Sequence, residues 1–316
     1  MLSLEMETVE ASMNMDDSTF KSIFPLHTSA QRSVFQAIDA RDFRLAKYRL
    51  LTLLGTGGFA QVYLGEHRIS GARVALKMLH AGVGSARRAQ FAAEAALHVR
   101  LRHPHIIAAR SYEEQGHTPF LVLDYASGGT MRKYVPAGTQ LPLPTVASVV
   151  KQVASALHYI HERGIVHRDV KPENLLVMED GQVMLSDFGN ARMIHQADVE
   201  EEASINGTAS YMAPEQLQKK VSVASDQYAL GITAYEWLSG VRPFSGAPLQ
   251  IALQHCNSRP PSFHAVGVSL PAEVEAVVMK ALEKDPQQRF LNVWDFALAL
   301  EEAARKSGVW GRKELL

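Results

Sequence analysis

The chain has 316 residues, enough to bury a large core in one two-lobed domain with an extension. Its 32 Lys and Arg balance 33 Asp and Glu to a net charge of −1, which leaves no broad basic footprint for nucleic acid and points to a protein or small-molecule partner. The one cysteine, Cys256, excludes an intramolecular disulfide framework, suggests a reducing compartment, and itself reads as a buried small residue.

No apolar run approaches the roughly 18 residues that span a bilayer, and Glu5, Glu7 and Glu10 stand where a signal peptide would be basic. We therefore expect a soluble, cytoplasmic protein with no membrane partner. Residues 1–29 mix Met, Ser, Thr and acids without a period and read as a weakly ordered leader. From Ala30 to Phe43, the apolar Val34, Phe35, Ile38 and Phe43 recur at helical spacing, so a short amphipathic helix is expected to dock on the domain that follows. Residues 1–47 are thus an N-terminal extension.

Tyr48 to Leu54 reads as a strand that runs into Gly55-Thr56-Gly57-Gly58-Phe59-Ala60-Gln61-Val62, a glycine-rich hairpin. Glycines let a backbone adopt otherwise strained angles and bring its amides close to phosphate oxygens, which a Cβ would obstruct. A dinucleotide-binding loop requires a helix next, whereas Val62-Tyr63-Leu64-Gly65 reads as a second strand. Val74-Ala75-Leu76-Lys77 is a third strand, and Lys77 taken alone is an ordinary strand-end lysine reaching solvent. Arg88 to Arg102 is rich in Ala and Leu at helical spacing and contains Glu94. His98, His103 and His105 read as structural, because no acid or Cys completes a ligand set around them. Phe120 to Leu123 is a short buried strand or an edge strand, followed by the turn Asp124 to Gly129.

Val146 to Arg163 is a long helix with Val149, Val150, Val153, Leu157 and Ile160 facing a core, ended by Gly164. It delivers the chain to His167-Arg168-Asp169-Val170-Lys171-Pro172-Glu173-Asn174, a charged turn between the apolar runs Ile165-Val166 and Leu175-Leu176-Val177. Asp169, Lys171 and Asn174 can converge on one small volume. They offer a carboxylate for a hydroxyl proton, an ammonium for phosphate charge and an amide oxygen for a metal, the equipment of phosphoryl transfer. Asp187-Phe188-Gly189 follows.

With both pieces in place the chain resembles the eukaryotic-like Ser/Thr protein kinases, of the bacterial soluble type, over about Tyr48 to Ala304. The resemblance implies an α+β bilobal fold: an N-lobe over 48–123 with an antiparallel sheet plus a helix, a hinge over 124–129, and a mainly α-helical C-lobe over 130–304, with 305–316 as a tail. It implies ATP in the cleft with Mg2+, or Mn2+ in its stead. ATP would lie against Leu54, Gly55, Gly57, Gly58, Val62, Ala75, Leu123 and Leu176, with the backbones of Asp124 and Ala126 bonding the base. Lys77 would hold the α/β-phosphates and pair with Glu94, which the resemblance favours over Glu113 or Glu114. His98 departs from the family, which has an apolar residue there in the column linking the lobes. Asp169 would be the base, Lys171 would neutralise the transferring group, and Asn174 and Asp187 would hold metal ions. Lys171 and Thr208 go with Ser/Thr acceptors in proteins.

Three further residues match structural positions: Glu215 of Met212-Ala213-Pro214-Glu215 should pair with the distant Arg289, and Asp226 should tie down the catalytic-loop backbone. Val274 to Leu282 and Val293 to Ala304 read as closing helices. Arg168 before the catalytic Asp implies control by an anion, and two readings stand: autophosphorylation on Ser204 switches the enzyme on, or the acidic run Glu200-Glu201-Glu202, a partial stand-in for a phosphate, gives basal activity without it. Self-association would serve autophosphorylation. The alternative from another class is a pseudokinase, a scaffold or ATP-binding regulatory module that kept the shape and lost the reaction.

Overall fold

Strands rich in Val, Leu and Tyr build the first layer, and their pairing fixes which side chains meet. In this computed structural model, residues 45–194 and 209–308 are described. The helix expected over 30–43, Glu200 to Glu202, Ser204 and Thr208 lie outside them. The strands are β1 (Tyr48–Thr56), β2 (Ala60–His67), β3 (Arg73–Leu79), β4 (Ala109–Gln115) and β5 (Thr118–Asp124), antiparallel in the order β1-β2-β3-β5-β4. Opposed residues share a face, so the pairs Val62↔Lys77, Lys77↔Leu121 and Ala75↔Leu123 put one set of side chains on one side. Tyr63, Leu76 and Val122 take the other.

The first face packs under helix α1 (Ser85–His98) through Leu79, Phe91, Ala95, Ala109 and Leu121. The second gathers Tyr48, Tyr63, Val74, Leu76, Met78, Phe120 and Val122 around Leu45. Helix α1 begins and ends earlier than its Ala and Leu content suggested. After His98 the chain closes into tight turns, Arg100 N to Leu97 O at 3.1 Å and Leu101 N to His98 O at 3.0 Å. Strand β5 is inside the sheet rather than at an edge; the edge beside it, opposite β1, is β4, whose charged residues Arg110, Glu113 and Glu114 hid it in the sequence.

The large lobe holds α2 (Met131–Tyr134), α3 (Leu143–His161), α4 (Pro214–Leu217), α5 (Val223–Ser239), α6 (Pro248–Asn257), α7 (Ala272–Ala281) and α8 (Val293–Lys306). Helix α3 starts at Leu143 because Pro144, lacking an N–H, is tolerated in a first turn. Its face Val149, Val150, Val153, Leu157 and Ile160 is fully buried, and Gly164 follows its end with φ +70°. Helix α5 is buried all round from Ser225 to Ser239, with Tyr228, Tyr235 and Trp237 among the largest fully buried side chains, and so forms the post of the lobe. Helix α7 starts earlier than expected, and α8 runs past Ala304 because Ser307 and Gly308 complete its last turn. Cys256 is only half-buried, a correction to the sequence reading, since it lies on the partly solvated side of α6.

Short pairs complete the scaffold. Strand β7 (Ile165–Val166) pairs with β10 (Arg192–Met193), and β8 (Leu175–Val177) lies between β6 (Gly129–Thr130) and β9 (Val183–Leu185). Residues 167–174 therefore bridge two anchored strands. Among the described residues, no helix is long and apolar enough to cross a membrane.

The buried pair of Glu215 and Arg289 closes the lobe, with Nη1 to Oε1 at 2.7 Å and Nη2 to Oε2 at 2.8 Å. Ser225 Oγ also donates to Glu215, and Arg289 reaches the carbonyls of Ala224, Glu283 and Lys284, so both charges are fully hydrogen-bonded. Removing one partner strands the other charge in the core. Arg289→Met should lower stability by about 3–5 kcal/mol in urea denaturation, whereas Lys151→Met, which breaks the solvated pair with Glu301, should cost under about 1 kcal/mol.

Candidate active site

Lys77, half-way along the sheet face under α1, sits between two carboxylates from different parts of the chain. Its Nζ donates to Glu94 Oε1 at 2.6 Å and to Asp187 Oδ1 at 2.8 Å. Of the three acids within sequence reach, Glu94 is thus the partner, while Glu113 pairs with Lys47 and Glu114 with Arg88. Burial by itself would drive the proton off Lys77, but the charges of Asp187 and Glu94 outweigh it and hold the ammonium above the ordinary lysine range. The Lys77 charge keeps Asp187 well below the usual carboxylate range against the opposing effect of burial. Burial raises the Glu94 carboxyl, with Lys77 opposing.

Asp187 adopts φ +60°, an uncommon angle for a side-chain-bearing residue, and its Oδ1 also accepts from Gly189 N at 3.4 Å. A Cβ on Gly189 would lie 3.2 Å from Asp187 Oδ1 and 3.4 Å from Glu94 Oε2, which accounts for glycine there. Oδ1 is therefore engaged by two donors, and neither of them reaches Oδ2.

The turn between β7 and β8 converges as its residue types allow. Lys171 Nζ donates to both oxygens of Asp169 at 2.8 Å. Asn174 Nδ2 donates to the Asp169 carbonyl at 2.8 Å and to Asp169 Oδ2 at 2.9 Å. Both amide hydrogens of Asn174 are thus used, and its Oδ1 is left as a hard-oxygen donor. Asp226 anchors the turn from α5, accepting from His167 N and Arg168 N at 2.8 Å and from His161 Nε2 at 2.7 Å. Burial opposes the charge on Asp226, but these hydrogen bonds outweigh it and lower its pKa. Arg168 has φ +70°, a strained angle that the two amide bonds to Asp226 hold in place.

The sheet face beside Lys77 carries Val62, Ala75 and Leu123, by the register of β2, β3 and β5. Leu54 lies at a bulge in β1, 39% exposed, and Leu176 is half-buried on β8 across the cleft. The backbones of Asp124 and Ala126 lie at the junction of the lobes, where Asp124 N bonds Ala108 O at 2.9 Å and Arg110 pairs with the Asp124 carboxylate. Gly55, Gly57 and Gly58 do not adopt positive φ, which corrects the first of the two reasons given for them. Gly57 N closes the hairpin on Ala60 O at 2.8 Å, and Gly55 and Gly58 have open space where a Cβ would stand.

Comparison with known families decides what this arrangement belongs to, since the protein kinase domain matches residues 48–294. The chain is a member of the protein kinase family. It is 36% identical over 271 residues to the serine/threonine-protein kinase PknA of Mycobacterium tuberculosis, covering 83% of this chain and 62% of that protein. It is 33% identical over 261 residues to the serine/threonine-protein kinase PrkC of Bacillus subtilis, covering 81% of this chain and 40% of the relative. It is 38% identical over 279 residues to the serine/threonine-protein kinase Pkn1 of Myxococcus xanthus, covering 84% and 40%. The kinase chain thus spans less than two thirds of each of these relatives.

Two features of this kinase were not legible beforehand. Arg132 on α2 clamps Glu236 of α5 with Nη1 at 2.9 Å and Nη2 at 3.0 Å, reaches Glu173 with Nε at 2.8 Å, and bonds Tyr211. The available signal was Glu236, an acid in a helix apolar on every side, which needs a buried partner. Asn190 was also missed; its amide lies 3.4 Å from Asp169 Oδ2.

His98 is buried between the lobes, its ring centroid 4.5 Å from that of Phe188, which in turn meets His167 edge-on at 5.0 Å. Because a carbonyl only accepts, His98 Nε2 carries the hydrogen bonded to Ile107 O at 2.8 Å. Burial pushes its pKa down to about 4, assisted by Lys77, so the ring is a neutral member of the column. Relative to the ordinary value of 6.5, the unfolded chain takes up a proton that the folded one refuses. This contribution to stability is fully present above pH 6.5 and is lost as pH falls towards 4. His98→Leu should show a smaller drop in Tm between pH 7 and pH 4.5 than the parent chain does, read by thermal melts across the series.

Proposed function

We propose that this kinase transfers the γ-phosphoryl group of ATP to serine and threonine hydroxyls of protein substrates. The observation that carries the reading is the Asp169 carboxylate: Lys171 and Asn174 orient it in a turn tied down by Asp226, while Lys77 and Asp187 meet across the cleft. Asp169 accepts the acceptor hydroxyl proton, a role for a positioned base worth ~10²- to 10⁴-fold in rate. Lys77, kept charged and aimed by Glu94, holds the α/β-phosphates, and Lys171 meets the phosphoryl group as its charge spreads. Leu54, Val62, Ala75, Leu123 and Leu176 sandwich the base, which the Asp124 and Ala126 backbones read.

Asp187 Oδ2 and Asn174 Oδ1 are hard-oxygen donors that fit Mg2+, with Mn2+ able to take the same positions. Among the described residues, no group of three or more His, Cys, Asp and Glu forms a self-sufficient cage, in keeping with an ion that shares its shell with phosphates and water. The divalent ion supplies charge neutralisation on the phosphates.

The kinase domain occupies 48–304 with its hinge at 124–129. Arg168 reads an anion on the activation segment, for which a phosphate on Ser204, transferred by a second copy of the chain, is our candidate; the alternative is that Glu200 to Glu202 give basal activity without it. Lys171 and Thr208 set the preference for Ser and Thr. A cytoplasmic location agrees with the single cysteine.

Incubating the purified chain with labelled ATP, Mg2+ and a generic basic protein tests the reading. Transfer should be present in the parent chain, fall at least ~10²-fold in Asp169→Asn, and fall steeply but measurably in Lys77→Met. Undiminished transfer by Asp169→Asn overturns the base. No transfer by the parent chain under any condition favours a scaffold, and unchanged activity of Ser204→Ala removes the phosphorylation switch.

A further inference from the structure

Asp169 has two carboxylate oxygens, and the described residues treat them unequally. Oδ2 accepts from Lys171 Nζ at 2.8 Å, Asn174 Nδ2 at 2.9 Å and Asn190 Nδ2 at 3.4 Å. Oδ1 accepts only from Lys171 Nζ, at 2.8 Å, among the described residues. A carboxylate oxygen offers about two lone pairs, so Oδ2 is fully engaged, with Asn190 as its third and longest contact, while Oδ1 keeps a place for one more. Asn190 follows Asp187-Phe188-Gly189 at the end of a tight turn whose Ala191 N closes on Phe188 O at 3.0 Å. That turn is fixed by buried Phe188 and Ala191, so the position of the Asn190 backbone beside the catalytic turn is set by the core. Its side chain is exposed at the cleft and contributes nothing to the core. Its amide nevertheless faces the catalytic carboxylate.

We propose that Asn190 is a positioning residue for Asp169: its amide holds Oδ2 and so leaves Oδ1 as the oxygen that takes the acceptor proton. The inference rests on Asp169 being the base. In the step itself the acceptor hydroxyl oxygen forms the bond to the γ-phosphorus, and the bond from that phosphorus to the β,γ-bridging oxygen breaks. ADP carries away the bonding pair, and the hydroxyl proton goes to Asp169 Oδ1. Asn174 donates to Oδ2 through Nδ2 while its Oδ1 is the proposed ligand of a cation, and Asn190 adds a second neutral donor to the same oxygen. Asn190 has no such second duty, and a neutral amide donor orients the carboxylate without placing another charge beside it.

The test uses the full chain in the labelled-ATP assay, with kcat and the KM for ATP measured separately and melting temperature as the control for folding. Asn190→Ala should lower kcat about 2- to 10-fold with the KM for ATP and the melting temperature unchanged. Asn190→Asp has the same shape but withdraws the donor and adds a second carboxylate next to Asp169, so it should lower kcat further than Asn190→Ala does. Parent-like kcat in Asn190→Ala overturns the proposal. So does a kcat for Asn190→Asp equal to or above that of Asn190→Ala, because shape rather than hydrogen-bond donation would then matter. Asp169→Asn in the same series separates the two levels. If it transfers as well as the parent chain, the base assignment fails. If it is inactive while Asn190→Ala is parent-like, the base stands and only the role of Asn190 falls.

Discussion

Lys77 carries one positive charge that three separate parts of the chain depend on. The sheet supplies the lysine, α1 supplies Glu94, and the floor of the cleft supplies Asp187, each within 2.8 Å of the same nitrogen or closer. A lysine placed so would lose its proton to burial without these acids, and two acids so close would repel each other without the lysine. The three charges are therefore stable only together. Their meeting fixes how the small lobe, its helix and the large lobe face one another at the cleft, and the column of His98, Phe188 and His167 packs directly behind them.

The large lobe solves a different problem, which is to hold a polar, strained turn against a hydrophobic core. It does so with charged residues on α5 and near it that are buried and fully hydrogen-bonded. Asp226 grips the amides of His167 and Arg168, Glu236 takes Arg132, and Glu215 takes Arg289. Each of these pairs weighs little in net stability, since desolvation offsets most of the attraction. What they fix is position. The turn at Arg168 stays at φ +70° because its amide and that of His167 point at one carboxylate.

Much of this was legible in the chain because the chemistry crowds into short runs. The residues from His167 to Asn174 meet in space as they do in sequence, and Glu94 lies against Lys77 while Glu113 and Glu114 pair with Lys47 and Arg88, because helix α1 packs over the sheet face that carries the lysine. The illegible parts involve long-range partners or context. Arg132 has partners 41, 79 and 104 residues away, which no local pattern announces. Strand β4 alternates exposed with less exposed residues, but only Ala109 is buried and charged residues stand at both kinds of position, so packing rather than propensity makes it a strand. The glycines of the hairpin lost one of the two reasons read for them, because φ at those positions depends on the turn that forms and not on the residue type alone.

The central claim is that Lys77 and Glu94 act as one unit, the acid serving the reaction only through the lysine. A double-mutant cycle on kcat/KM for ATP, with Lys77→Met, Glu94→Gln and the two combined, measures that directly. The account predicts that the double variant is no worse than Lys77→Met alone. Losses that multiply, with Glu94→Gln costing as much in the absence of the lysine as in its presence, would contradict it.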